Sequence, residues 1–228
     1  MNGNYSTLKH SLGHSGNPIP DMVVWEDEFL SIDLDTTNGP YRFNVAASGT
    51  FSILDEANGI LRLSASANAN SGVTAQGRSN VFFPKASDRS IGFSWRGRVN
   101  IGASLLAAIG LGEASATHVY AGGTFSSNQF IGFRITGGRL EAVTRAGGSP
   151  TVVDLQAVPA NGEFFQLGFQ LDNRDNVRFF VNGLWAADIK LTIPAATQGL
   201  AVTIGALHAA GNASARVDTD YVLASQER

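Results

Sequence analysis

The stretch from Glu163 to Lys190 constrains the fold more than any other in the chain. Phe165, Leu167, Phe169 and Leu171 alternate with Phe164, Gln166, Gly168 and Gln170. A period of two buries one face of a β-strand, because successive side chains point to opposite sides. Asp172-Asn173-Arg174-Asp175-Asn176 follows. Asn and Asp tolerate left-handed backbone and bond nearby amides, so this run predicts a turn. Val177–Val181 and Leu184–Lys190 predict two further strands, joined by Asn182-Gly183. Asn-Gly is favoured where both central residues of a tight hairpin turn need positive φ.

That turn predicts a register: Val181 opposite Leu184, Phe180 opposite Trp185, Phe179 opposite Ala186, and Val177 opposite Asp188. Val177, Phe179 and Val181 then share the buried face. Arg178, Phe180 and Trp185 share the outer face with Gln166 and Gln170. Aromatic rings stack on the apolar C–H faces of sugars, while amides and guanidinium groups bond their hydroxyls. Phe180, Trp185, Arg178, Gln166 and Gln170 are therefore candidate carbohydrate-binding residues. Such a surface more often packs beneath a loop or against another subunit, and both readings stay open.

The rest of the chain reads the same way. Met22–Phe29, Tyr41–Val45, Thr50–Leu54 and Ile60–Ser66 predict strands, and Ala67–Arg78 a loop or weak edge strand. Ser90–Ile101 predicts a longer strand. Ala103–Leu111 predicts a buried strand, since its apolar run is short and bounded by glycines. Gln129–Thr136 and Arg139–Arg145 form a second tight hairpin through Gly137-Gly138. Its register sets Ile135 opposite Leu140 and Phe133 opposite Ala142, with Arg134 and Glu141 as an outer ion pair. Thr151–Leu155, Leu200–Gly205 and Ala215–Ala224 complete the strands. Many short strands with Gly, Asn and Pro turns predict an antiparallel β-sandwich. The first and last strands are expected to be neighbours.

Residues 1–20 read as a separate extended arm ahead of a domain over 21–228. The arm is polar, ends in Asn17-Pro18-Ile19-Pro20, and lacks the apolar middle of a secretory signal. With Met1 in place, the chain reads as one that is not exported by such a signal. An arm of this kind is mobile unless a partner holds it, and Tyr5, Leu8, Leu12 and Ile19 are the side chains suited to that contact. With 43% hydrophobic residues, the domain can bury a sizeable core. The net charge of −3 gives no reason to expect nucleic acid, and no stretch reaches the ~20 apolar residues of a membrane span. The chain has no cysteine, which removes disulfides and thiolate metal sites.

Several pieces resemble the concanavalin A-like lectin/glucanase superfamily. They are Val24-Trp25-Glu26-Asp27-Glu28-Phe29, Ser48-Gly49-Thr50-Phe51-Ser52-Ile53 with Gly59-Ile60-Leu61-Arg62-Leu63, Arg178-Phe179-Phe180-Val181-Asn182-Gly183, and Asp218-Thr219-Asp220-Tyr221-Val222. The resemblance implies an all-β jelly-roll sandwich over roughly residues 22–224. Laminarinase-type members carry a Glu-x-Asp-x-x-Glu strand, because retaining hydrolysis needs two carboxylates about 5 Å apart. This sequence lacks that spacing, and Glu26-Asp27-Glu28 lies on the wrong strand. The calcium and manganese constellation of legume lectins is also absent. No enzyme is expected on these grounds.

Other candidates are weaker. Asp33-Leu34-Asp35-Thr36-Thr37-Asn38-Gly39 departs from a calcium loop by one position and lacks its closing Glu. Asp172, Asn173, Asp175 and Asn176 suit a turn as well as a cation. His10 and His14 sit four apart without a helical pattern, and His118 and His208 stand alone. No cofactor or metal is expected. The leading expectation is a non-catalytic structural or surface-display protein of a bacteriophage virion, by fold-level analogy with phage decoration-type proteins. It would be made in the host cytoplasm and anchored by the arm to a major capsid or other virion protein, as a homo-oligomer. The alternative is a carbohydrate-binding module, extracellular or at a cell surface. A third reading is a polysaccharide-cleaving enzyme whose site the spacing does not reveal.

Overall fold

A computed structural model describes residues 22–227 except 28, 30–38, 57–58, 67, 85–89, 101–104, 116–126, 158–159, 196, 198 and 210–214. The described residues form fifteen strands and no helix. In chain order these are β1 (Met22–Asp27), β2 (Tyr41–Ala46), β3 (Thr50–Leu54), β4 (Ile60–Ala65) and β5 (Gly72–Gly77). Then come β6 (Ile91–Asn100), β7 (Leu105–Gly112), β8 (Gln129–Thr136), β9 (Arg139–Ala146) and β10 (Thr151–Asp154). The last five are β11 (Phe165–Leu171), β12 (Val177–Val181), β13 (Leu184–Ile189), β14 (Ala201–His208) and β15 (Ala215–Glu227).

They make two antiparallel sheets. The first runs β13-β12-β11-β6-β15-β4-β3. β15 is long enough to hold two neighbours on one side, β4 along its first half and β1 along its second. The Met22–Glu227 pairing thus brings the first and last strands together, as expected. The second sheet runs β10-β9-β8-β7-β14-β5-β2. The two sheets stack as a jelly-roll β-sandwich.

Alternation builds the core between them. Phe93, Trp95, Phe165, Leu167, Phe169, Val177 and Phe179 point inward from the first sheet, and Ile109, Ile131, Phe133, Val202 and Ile204 from the second. Phe133 meets Phe179 edge-on at 5.3 Å, joining the layers. Phe93 stacks on Phe169 at 5.0 Å, and Trp95 meets Phe165 edge-on at 5.2 Å. Each buried ring stabilises the fold by roughly 1.5–3 kcal/mol, and each aromatic pair adds about 0.5–1.5 kcal/mol. Trp95 Nε1 donates to Thr219 Oγ1 at 3.0 Å, so its polar edge is satisfied in the interior.

Two expectations need correction. Gly72–Gly77, read as a loop or weak edge strand, is β5, an internal strand between β14 and β2 that is buried throughout. A Cβ on Gly72 would lie 2.4 Å from the Ala206 carbonyl oxygen, so its small size reflects crowding rather than looseness. The second correction concerns β13. Val181 pairs with Leu184 and Phe180 with Trp185, but Phe179 then pairs with Ala187, Arg178 with Asp188 and Val177 with Ile189. Ala186 is the extra residue of a β-bulge. A regular pairing would turn Asp188 toward the core. The bulge sends Asp188 outward and Ala187 and Ile189 inward. The Gly137-Gly138 hairpin has the expected register, with Arg134 Nε donating to Glu141 at 2.6 Å.

Candidate functional site

The outer face of the first sheet carries the candidate site. Cross-strand register lays its residues in rows. One row is Trp185, Phe180, Gly168 and Ser94; the next is Asp188, Arg178, Gln170 and Gly92. Gln166 lies two residues along from Gly168, opposite Arg96. The five expected residues therefore do share one surface. Trp185 is 65% exposed, and Phe180 beside it is half-buried. Gly168, Ser94 and Gly92 form a low floor next to the two rings.

Local bonds fix this surface. Trp185 Nε1 donates to Asp188 Oδ1 at 3.0 Å, which the bulge makes possible. Gln166 Nε2 donates to Ser94 Oγ at 3.0 Å. The Gln166 N–H donates to Asn182 Oδ1 and the Asn182 N–H to the Gln166 carbonyl, both at 2.8 Å. Arg178 lies 3.6 Å from Asp172. Partial burial works against the Asp172 carboxylate, but the N–H groups of Arg174 and Asn176 and the nearby Arg178 and Arg174 outweigh it. Its pKa is held below the usual carboxylate range. Asp172 Oδ1 accepts those two N–H groups at 2.9 and 3.1 Å, and Asp175 has φ 58°, so this run is a turn.

The same face continues into an ion-pair network that sequence reasoning missed. Arg62 grips Asp218 through two bonds of 2.7 Å, and Arg98 adds one of 2.9 Å. Arg98 also reaches Glu56 at 2.6 Å. Asp220, the extra residue of a bulge in β15, pairs with Arg96. The ring of Phe164 packs against both guanidinium groups, 4.7 Å from that of Arg96 and 4.9 Å from that of Arg98. Burial acts against the Asp218 carboxylate, yet the bonds from Arg62 and Arg98 prevail and lower its pKa. Arg96 and Arg98 were legible as the outward partners of Phe93 and Trp95. Nothing in the sequence places Asp218 and Asp220 against them, since the partners lie more than a hundred residues apart.

Tyr5, Leu8, Leu12, Ile19, His10, His14 and His118 lie outside the described residues, as does most of Asp33–Gly39. His208 is wholly buried, with neither ring nitrogen bonded. Among the described residues no group of three His, Asp or Glu side chains converges to hold a metal ion.

No protein-family model and no curated protein matches the chain by sequence. Solved structures do match by shape. A protein of unknown function, SO2946, from Shewanella oneidensis MR-1 superposes with a TM-score of 0.65 at 12% identity, over 94% of this chain and 90% of its own. The endo-1,3-beta-glucanase of Streptomyces sioyaensis gives 0.64 at 11% identity, over 94% and 99%. The Emp47p carbohydrate recognition domain gives 0.56 at 12% identity, over 86% and 93%. At such identities the likeness shows the fold, which is the concanavalin A-like one of glucanases and lectins. The expectation of no enzyme is overturned. It rested on a missing linear motif, and this fold also serves an endo-1,3-beta-glucanase.

Proposed function

We propose that the chain is a lectin-like protein that recognises glycan on the outer face of its first sheet, centred on Trp185 and Phe180. One observation carries the reading: a tryptophan 65% exposed, whose indole N–H is anchored to Asp188, beside a second aromatic and a floor of glycine and serine. An exposed ring held in one orientation costs little further ordering when a sugar stacks on it. The donors of Arg178 and Gln170 lie in the adjoining row for hydroxyls, and Gln166 lies on the same face on the other side of Gly168. The shared fold of lectins and a glucanase supports the same class of ligand. Cleavage of a bound glycan would add to this reading.

A glycan array read with the purified chain tests it. Trp185→Ala should weaken binding by at least about tenfold, equivalent to ~1.4 kcal/mol, and leave the unfolding midpoint unchanged. Binding that survives both Trp185→Ala and Phe180→Ala would place the site elsewhere. A second proposal concerns attachment. We propose that residues 1–20 anchor an oligomer of the chain to a virion protein through Tyr5, Leu8, Leu12 and Ile19. Its support is the sequence of the arm, polar with spaced apolar anchors. Removing residues 1–20 should abolish co-sedimentation with particles and spare glycan affinity.

A further inference from the structure

We infer that the end of the sandwich beside the Asn182 turn holds a pocket for one sugar ring, so that the protein recognises the terminal residue of a glycan. The inference rests on the glycan reading above and adds to it the part of the glycan that is bound. A cavity of about 220 Å³ opens there. At ~30 Å³ per molecule it has the room of about seven waters, enough for one hexose ring.

Its lining suits a hydroxyl-rich ring. Leu140, Phe165 and Val181 make an apolar floor drawn from both sheets. Glu163, Phe164 and Asn182 are exposed at its rim. Asn182 has φ 50°, set by the hairpin turn, and its Oδ1 is spent on the Gln166 N–H. That bond orients the amide and leaves the two Nδ2 hydrogens for a ligand. Glu163 supplies carboxylate acceptors, and Phe164 an aromatic surface packed against Arg96 and Arg98. A donor, an acceptor and a ring around a hexose-sized space is the composition of a sugar subsite.

The pocket is also joined to the sheet face. Asn182 lines the cavity, its bonding partner Gln166 lies on the face, and Trp185 follows three residues along the hairpin. Asn182 opens the turn and Trp185 stands two residues past it, opposite Phe180, so both lie at the same end of the hairpin. A glycan with its last ring in the cavity would thus lay its next residues toward the tryptophan.

The test is a titration of the full chain with mono- to hexasaccharides of gluco-, manno-, galacto- and uronate series, each also with its terminal hydroxyls methylated. Asn182→Asp keeps the acceptor for Gln166 and tolerates the positive φ, but loses both donors. Ala160→Phe fills the cavity from its exposed rim. The expected result is an affinity per molecule that stops rising within the first few residues, once the glycan reaches from the cavity to Trp185. Terminal methylation and either substitution should each lower it at least tenfold, with the melting temperature unchanged. Should one variant fail to fold, the other gives the same readout. Affinity that grows with every added residue and ignores Asn182→Asp and Ala160→Phe would overturn terminal recognition and leave the sheet-face reading standing. No binding to any saccharide would remove both.

Discussion

Asp218 shows how one side chain organises the face around it. It is fully buried, yet three guanidinium bonds keep it ionised. Asp218→Asn would leave Arg62 and Arg98 without a counter-ion. A fully buried pair loses roughly 3–5 kcal/mol when one partner goes, and the partial exposure of both arginines lowers this to about 2–3 kcal/mol. A urea titration reads it as a lower midpoint with an unchanged slope. Gly110 is a second such position. A Cβ there would sit 2.2 Å from the Ile131 carbonyl oxygen and 2.7 Å from Gly132 Cα, both backbone atoms that cannot swing away. Gly110→Ala should cost at least about 1–3 kcal/mol by forcing β7 and β8 apart, again read by denaturant. The outward placement of Gln166, Gln170, Arg178 and Phe180 was legible at this scale, because they simply alternate with buried Leu, Val and Phe. Asp218 was not, since its acid partners nothing near it in sequence.

At the scale of the element, the β12–β13 hairpin divides what a turn signal determines from what burial determines. Asn182 at φ 50° and Gly183 at φ 77° form the expected tight turn, and the first two pairs follow from it. Beyond Trp185 the register is set by a different cost, that of turning the Asp188 carboxylate inward. The bulge at Ala186 avoids that cost, and no local propensity announces it. The same holds in β15, where the extra Asp220 lets the strand present a second carboxylate to Arg96. Deleting Ala186 leaves the observed pairs of Ala187, Asp188 and Ile189 intact, so the fold should persist. The edge strand would lose its local twist, and the Trp185 ring its present tilt against Asp188. Glycan affinity should fall by about tenfold, ~1.4 kcal/mol. Self-association should rise in size-exclusion chromatography, because a bulge also guards an edge strand against pairing with another copy.

For the whole molecule, alternation and turn chemistry were enough to give two antiparallel layers, since every strand needs one face buried. They were not enough to decide what the layers do. The ion-pair network across β4, β6 and β15 draws on residues scattered from Arg62 to Asp220, so a linear spacing motif does not find it. Stability against pH follows from the same assembly. Asp218 and Asp172 have folded pKa values lowered beneath those of the unfolded chain. Their contribution is complete above the ordinary carboxylate value of about 4 and is lost as pH falls through the lowered folded values. Tyr41 lies at the opposite limit. Burial first, and the nearby Asp27 charge second, push its phenol well above 10.0. The unfolded chain therefore ionises first, and stability drains away as pH rises beyond about 10 toward the raised folded value. The urea midpoint should thus be level through neutral pH and fall at both ends. Tyr41→Phe should flatten the alkaline limb, because it removes the phenol and keeps the ring stacked on Phe29 at 5.9 Å. Asp218→Asn should flatten the acid limb at a lower plateau. If both variants kept the wild-type profile, the two limbs would belong to other groups.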